Sequence, residues 1–393
     1  MGESLTRILN EHKIVISAGS GGVGKTTVAA ALALQGARMG KRVLVMTIDP
    51  AKRLANSLGL PELGNRESRV PPEKFREAGI EVTGEMHAML LDTKRTFDDL
   101  VERFAPNEDV KRTIYANRFY KNLSSTMSGS NEFLAIEKLY DVYDKGAYDL
   151  IILDTPPTKH AIEFLESPKK MSAFLSEDMM KWFLKPYFAA GKLSLGFMGN
   201  MVQRMFRMLE WATGIGFLKD VSEFFISFEH IFEQMYARMN KVEAILHAPE
   251  TIFVLVTSPR ELALEESEFF YKKLAEMRVS FGGFVINRVN PDELAAAAPD
   301  LARESLEPDA LAARVRERLG AELEGTPLGA GAIDELADTL ASGHMIARGD
   351  TKAVDAFRDR FPQNVPFYPV PRFERDVYDF EGLLRIDHAL FGE

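Results

Sequence analysis

The sequence predicts an α/β fold: a doubly wound, mostly parallel sheet with an inserted α-helical subdomain. Three observations predict it. Short, continuously apolar runs recur along the chain, and each ends in a polar or glycine-rich turn. Helical stretches separate them, so the chain reads as repeated β-α-β. Two intervals hold far more chain than a crossover helix needs.

The first run is KIVISAG (13–19), and a glycine-rich turn and a helix-forming TTVAAALAL follow it. Then come RVLVMTID (42–49), MHAMLLD (86–92), DLIILDTP (149–156), TIFVLVTSP (251–259), FGGFVINRV (281–289) and VPFYPVP (365–371). Most are apolar throughout rather than alternating. Strands buried on both faces have this pattern, as in a parallel sheet. The long intervals, about 93–148 and 160–250, read as helical and are assigned to one helical subdomain at one end of the sheet. The alanine-rich, acidic segment 291–350 reads as surface helices with loops. No internal repeat is visible, so residues 1–393 are taken as one domain whose sheet is completed by 251–393.

Composition narrows the functions. The chain has 393 residues and a formal net charge of −10. That balance argues against a general nucleic-acid binder, which needs a basic face. There is no cysteine, which excludes disulfides, thiolate metal sites and cysteine nucleophiles. The start, MGESLTRILNEHK, lacks the apolar stretch of a signal peptide. No window reaches the ~18 apolar residues of a membrane span. The expected setting is the cytoplasm.

Gly19-Ser20-Gly21-Gly22-Val23-Gly24-Lys25-Thr26 fits G-x-x-x-x-G-K-[ST]. The chemistry asks for these types. Glycines let backbone N–H groups turn inward and approach a phosphate, and the following helix offers its positive end. Gly21 to Thr27 are therefore the candidate phosphate ligands. Lys25 would reach the β- and γ-phosphates, and the Thr26 hydroxyl would bind Mg²⁺. A strand precedes the loop and a helix follows it, as the motif requires. Asp49 ends the second apolar run and Asp154 the fourth. Ligands bind outside such strand ends in open α/β sheets, and an aspartate after four apolar residues is the Walker-B arrangement that holds a Mg²⁺ shell. A single aspartate there is more often a helix cap. Two of them downstream of a phosphate loop favour the metal role.

With these motifs the chain resembles the arsenite-pump and guided-entry ATPase family, P-loop ATPases with a deviant Walker A motif whose guided-entry members target tail-anchored proteins. The matching residues are the loop 19–26, DPA at 49–51, DTPPTKH at 154–160, INR at 286–288 and VPFYPVPRFERDV at 365–377. The resemblance implies that ATP and Mg²⁺ are the ligands, with Asp49 polarising the attacking water and Asp154 supporting the metal. It implies that Asn287 contacts the adenine and that the segment around Pro371 and Phe373 lines the nucleobase pocket. On its own, Asn287 could be a turn former and His160 a surface histidine. Two departures matter. The family's Cys-x-x-Cys zinc pair and the arsenite-binding cysteines are missing. The family lysine that reaches the neighbouring subunit's phosphates is replaced by Ser20. A dimer is implied, and Ser20 suggests a hetero-dimer with a lysine-bearing paralogue. The rival is a homodimer that is slow or uses another cation.

Residues 171–239 hold nine of the 17 methionines, ten phenylalanines and both tryptophans. Met198, Met201, Met205 and Met208 recur at the spacing of one helix face, widened by Phe206. Such a face is either the core of a helical subdomain or a groove for a hydrophobic client, since methionine adapts to varied apolar partners. The reading that follows is a Mg-dependent ATPase whose nucleotide state opens and closes a dimer. A membrane-protein helix or lipid would occupy the Met/Phe-rich groove, and the protein would lie at the membrane periphery during delivery. The alternatives are an anion (arsenite-type) pump subunit or a partition/division-type ATPase.

Overall fold

The computed structural model describes residues 2–48, 53–126, 131–157, 161–166, 215–304, 306–322 and 330–392. Eight strands form one sheet: β1 (Ile14–Gly19), β2 (Arg42–Thr47), β3 (Ser68–Arg69), β4 (Glu85–Leu90), β5 (Leu150–Asp154), β6 (Thr251–Thr257), β7 (Phe281–Val289) and β8 (Phe367–Pro371). Their order is β3-β4-β2-β5-β1-β6-β7-β8. Every neighbouring pair is parallel except β3–β4. The predicted α/β, mostly parallel architecture is therefore present. The seven apolar runs correspond to the seven long strands. The antiparallel β3 was not foreseen: two residues, Ser68 and Arg69, carry no apolar run to betray it.

The continuous apolar character of the strands has a simple consequence. Successive side chains point to opposite faces. Ile14, Ile16, Leu44, Met46, Ile151, Leu153, Phe253 and Leu255 enter one core. Val15, Val43, Val45, Leu150, Ile152, Val254 and Val256 enter the other. Both faces are covered by helices, which is why neither parity could be polar. The second face packs on the helices Gly2–Glu11, Lys25–Arg38 and Phe380–Phe391. The first packs on Thr93–Phe104, Asn131–Asp144, Ile215–Leu246 and Glu261–Glu276.

Capping explains several helix starts. Asp92 accepts from the Arg95 N–H, Asn107 from Val110, Asp292 from Ala295 and Asp379 from Gly382. Each satisfies a backbone donor that the first turn leaves unpaired. The interval 93–148 holds the helices Thr93–Phe104, Glu108–Ala116, Arg118–Thr126 and Asn131–Asp144. Between β7 and β8, the helices Pro308–Glu322 and Ala330–Arg358 pack on each other around a small third core that includes Leu311, Val315 and Ala337.

The candidate groove residues Met198, Met201, Met205, Met208 and Phe206 lie outside the described residues. In the described, later part of the same methionine-rich stretch, the two methionines belong to the core. Met235 and Met239 are buried, as are Phe224, Phe228 and Phe232, whose rings pack edge to face or tilted along the helix Ile215–Leu246. Among the described residues, no helix is long and apolar enough to cross a membrane.

Candidate nucleotide site

The strand order reverses around β1. From β1 the chain runs outward through β2 to β4, returns as β5, then crosses to β6 on the other side. Such a switch point leaves a crevice beyond the strand ends. The glycine-rich loop sits there, between the end of β1 and the helix Lys25–Arg38.

The loop's conformation demands its glycines. Gly24 has φ +97°, and a Cβ on it would stand 2.3 Å from Asn287 Nδ2. Gly19 has φ +152°, and a Cβ there would stand 1.9 Å from the Val256 carbonyl oxygen of the neighbouring strand. Neither position has room for any side chain. Gly21 and Gly22 are exposed at the rim, Val23 is buried beneath them, and Thr27 is half-buried in the first helical turn. Lys25 is buried and donates from Nζ to the Ser20 carbonyl at 2.8 Å, so its ammonium lies back across the mouth of its own loop.

Register builds the second half of the site. Asp154 pairs with Ser17 of β1 and with Thr47 of β2, so the three stand abreast at the strand ends. Asp154 Oδ2 accepts from the Thr26 hydroxyl at 2.6 Å and the Thr47 hydroxyl at 2.9 Å. The carboxylate is almost fully buried. A hydroxyl and a carboxylate beside the glycine-rich loop are hard oxygen donors, the set Mg²⁺ takes alongside phosphates and water. The residues present fit that ion. Thr155 closes the crevice floor, its hydroxyl and its N–H both donating to the Ser17 carbonyl.

Strand β7 reaches the loop from the other side. Asn287 Nδ2 donates to the Val23 carbonyl at 2.7 Å, and Arg288 Nη1 donates to the Gly22 carbonyl at 3.0 Å. Pro371 pairs with Val289, and Phe373 is partly buried with the Arg385 guanidinium 5.4 Å from its ring centroid. Pro371, on β8, stands one strand farther from the loop than Asn287 on β7, and Phe373 follows just beyond the end of β8. Asp49 and His160 lie outside the described residues. Ser20 is buried rather than projecting from the loop. Thr47 was not singled out from the sequence, and Arg288 entered only as the last residue of INR at 286–288, with no role. Thr47 has one faint signal: it is the polar end of a run that is otherwise apolar from Val43.

Comparison with known proteins agrees with this geometry. Residues 12–307, about three quarters of the chain, match the family described as anion-transporting ATPases. The chain is 28% identical to an arsenical pump-driving ATPase of Aquifex aeolicus over 72% of this chain and 64% of that protein. It is 25% identical to the ATPase get3 of Schizosaccharomyces pombe over 76% of this chain and 80% of the other. It is also 25% identical to an ATPase ASNA1 homolog of Paramecium tetraurelia over 70% of this chain and 75% of the other. The match thus spans just under two thirds of the Aquifex protein's length. A strained glycine-rich loop between a strand and a helix, a buried carboxylate bonded to the loop threonine, and a family match through most of the sheet converge on one conclusion: the chain belongs to the anion-transporting ATPase family.

Proposed function

We propose that this protein hydrolyses Mg-ATP and uses the nucleotide state to open and close a dimer around a hydrophobic client. The observation that carries the ATPase reading is the joining of Thr26, Asp154 and Thr47 beside the glycine loop. Gly21 to Thr27 would cradle the phosphates with their N–H groups, and Lys25 would leave the Ser20 carbonyl to pair with the phosphate oxygens. Thr26 and Asp154 would hold Mg²⁺, Thr26 directly and Asp154 through its bound shell. Bound Mg²⁺ neutralises charge on the phosphate oxygens. Asp49 orients the attacking water for in-line displacement. Asn287 contacts the adenine, and the stretch around Pro371 and Phe373 walls the base.

The client reading rests on the sequence: four methionines at one-face spacing between 198 and 208, with Phe206 beside them. The helix of a membrane protein, or a lipid, is the occupant of that groove, delivered by a cytoplasmic protein that meets the membrane only at its surface. The neutral Ser20 points to a hetero-dimer in which a related ATPase lends a lysine. A second reading has support in the family description, an anion-pump subunit. The absence of cysteine removes the soft ligands that arsenite needs.

The experiment is Asp49→Asn. The variant should bind ATP as the parent does and hydrolyse it poorly. Light scattering with ATP and with ADP then reads the dimer, alone and mixed with a lysine-bearing relative. Unchanged hydrolysis by the variant would remove Asp49 from the mechanism.

A further inference from the structure

Strand β7 does something unusual where it ends. Asn287 and Arg288 are consecutive, and consecutive strand residues point to opposite faces of a sheet. Here both side chains reach the same loop, and they bond two consecutive carbonyls, Val23 and Gly22. The backbone makes this possible. Arg288 has φ +62°, a left-handed conformation that among the described residues only one other non-glycine, Arg278, adopts. The pairing of β7 with β8 shifts register at the same place, between Ile286 and Val289. The Asn287 Oδ1 accepts the Arg288 N–H at 3.0 Å, which fixes the amide plane and so aims Nδ2 at Val23.

A left-handed arginine is costly and persists only where its surroundings hold it. What holds it is the loop. A phosphate nest needs its N–H groups turned inward, and the carbonyls of the same peptides must then turn outward. Donors on those carbonyls from outside keep the peptides from rotating when no anion is present. The Arg288 guanidinium is an exposed, charged donor of this kind. Hydrogen bonds from ionised donors are about twice as strong as neutral ones. Ser20 contributes no charge to this rim, whereas Arg288 does.

We propose that Arg288 is a positioning residue for the triphosphate: it acts through the Gly22 peptide, holding the loop in its anion-binding shape. The proposal rests on the reading of the site as one for ATP. It assigns Arg288 to the phosphate chain and not to the base.

The test compares Arg288→Ala, Arg288→Gly and Arg288→Lys in the full-length protein, using ATP and inorganic triphosphate as probes. The glycine variant removes the guanidinium while relieving the left-handed strain, so it keeps the test valid if the alanine variant folds poorly. Expected for both Ala and Gly is a loss of about tenfold in affinity for ATP and equally for inorganic triphosphate. KM for ATP should rise by the same factor, kcat should change less than about threefold, and Lys should restore most of the affinity. Parent-like affinity in the glycine variant would overturn the proposal. So would a loss confined to ATP, which would place Arg288 on the base. A parent protein that binds neither probe would instead defeat the ATPase reading.

Discussion

Thr47 carries a sharp prediction. Its hydroxyl is buried at the end of β2 and donates to Asp154 Oδ2 at 2.9 Å, beside the 2.6 Å bond from Thr26 to the same oxygen. Valine has nearly the same outline without the hydroxyl, so Thr47→Val mainly deletes one donor to a buried carboxylate. A hydrogen bond to a charged group contributes about 1.5–3 kcal/mol. The added methyl gains a little burial, which places the expected loss near the lower end, about 1.5–2 kcal/mol. Urea unfolding at neutral pH reads it. The same carboxylate would orient the Mg²⁺ shell, and loss of a supporting partner weakens metal binding by about tenfold. The midpoint of a Mg²⁺ titration of ATP hydrolysis should rise accordingly, and Thr47→Ser, which keeps the hydroxyl, should restore both readouts. A stability loss below about 0.5 kcal/mol with an unmoved Mg²⁺ midpoint would refute the reasoning, because a surface substitution could do as little.

Three further outcomes follow from particular contacts. Gly24→Ala forces a Cβ toward Asn287 Nδ2 in a φ +97° conformation. It should lower nucleotide affinity by more than about tenfold and stability by about 1–3 kcal/mol, read by calorimetric titration and thermal unfolding. Asp387 is fully buried and ion-paired with Arg38, tying the last helix to the one behind the phosphate loop. Asp387→Ala leaves Arg38 only partly buried and still bonded to Gln35, so it should cost about 1.5–3 kcal/mol in unfolding experiments, with a cost under about 0.5 kcal/mol telling against the pairing.

Glu137 is buried against Arg238 at 2.6 Å. Burial pushes its carboxyl up to about 7 while Arg238 pulls the other way. The folded state therefore holds this proton more tightly than the unfolded chain. The contribution to stability is complete below the ordinary carboxylate range and is lost as pH rises to about 7. Between those limits the parent should lose stability on the order of 1–3 kcal/mol, and Glu137→Gln should flatten that slope. An identical slope in both proteins would assign the pH dependence elsewhere.

What could be read in the sequence was what lies close together in it. The glycine-rich loop is eight consecutive residues that fit a phosphate-loop pattern, and a helix starts at its end. The strands were legible because a sheet covered on both faces leaves no polar parity, and the two cores divide each run residue by residue. β3 had no such run and pairs only because β4 presents it an edge. For the methionine-rich stretch, periodicity could not choose between core and groove. Met235 and Met239 turned out to be core through their packing, a fact that no pattern along the chain contains.

The sequence by itself determined the sheet's class and the glycine-rich loop, since both follow from contiguous patterns of polarity and backbone freedom. Only the tertiary structure decided which distant residues serve the loop. Thr26 and Asp154 are 128 residues apart, and they meet because β1 and β5 are neighbours in register. Thr47 joins them because β2 flanks β5 on its other edge. Arg288 reaches Gly22 across 266 residues, because a single left-handed residue turns it out of the pleat. Strand order and one backbone angle are collective outcomes of packing, and no local run of residues encodes them.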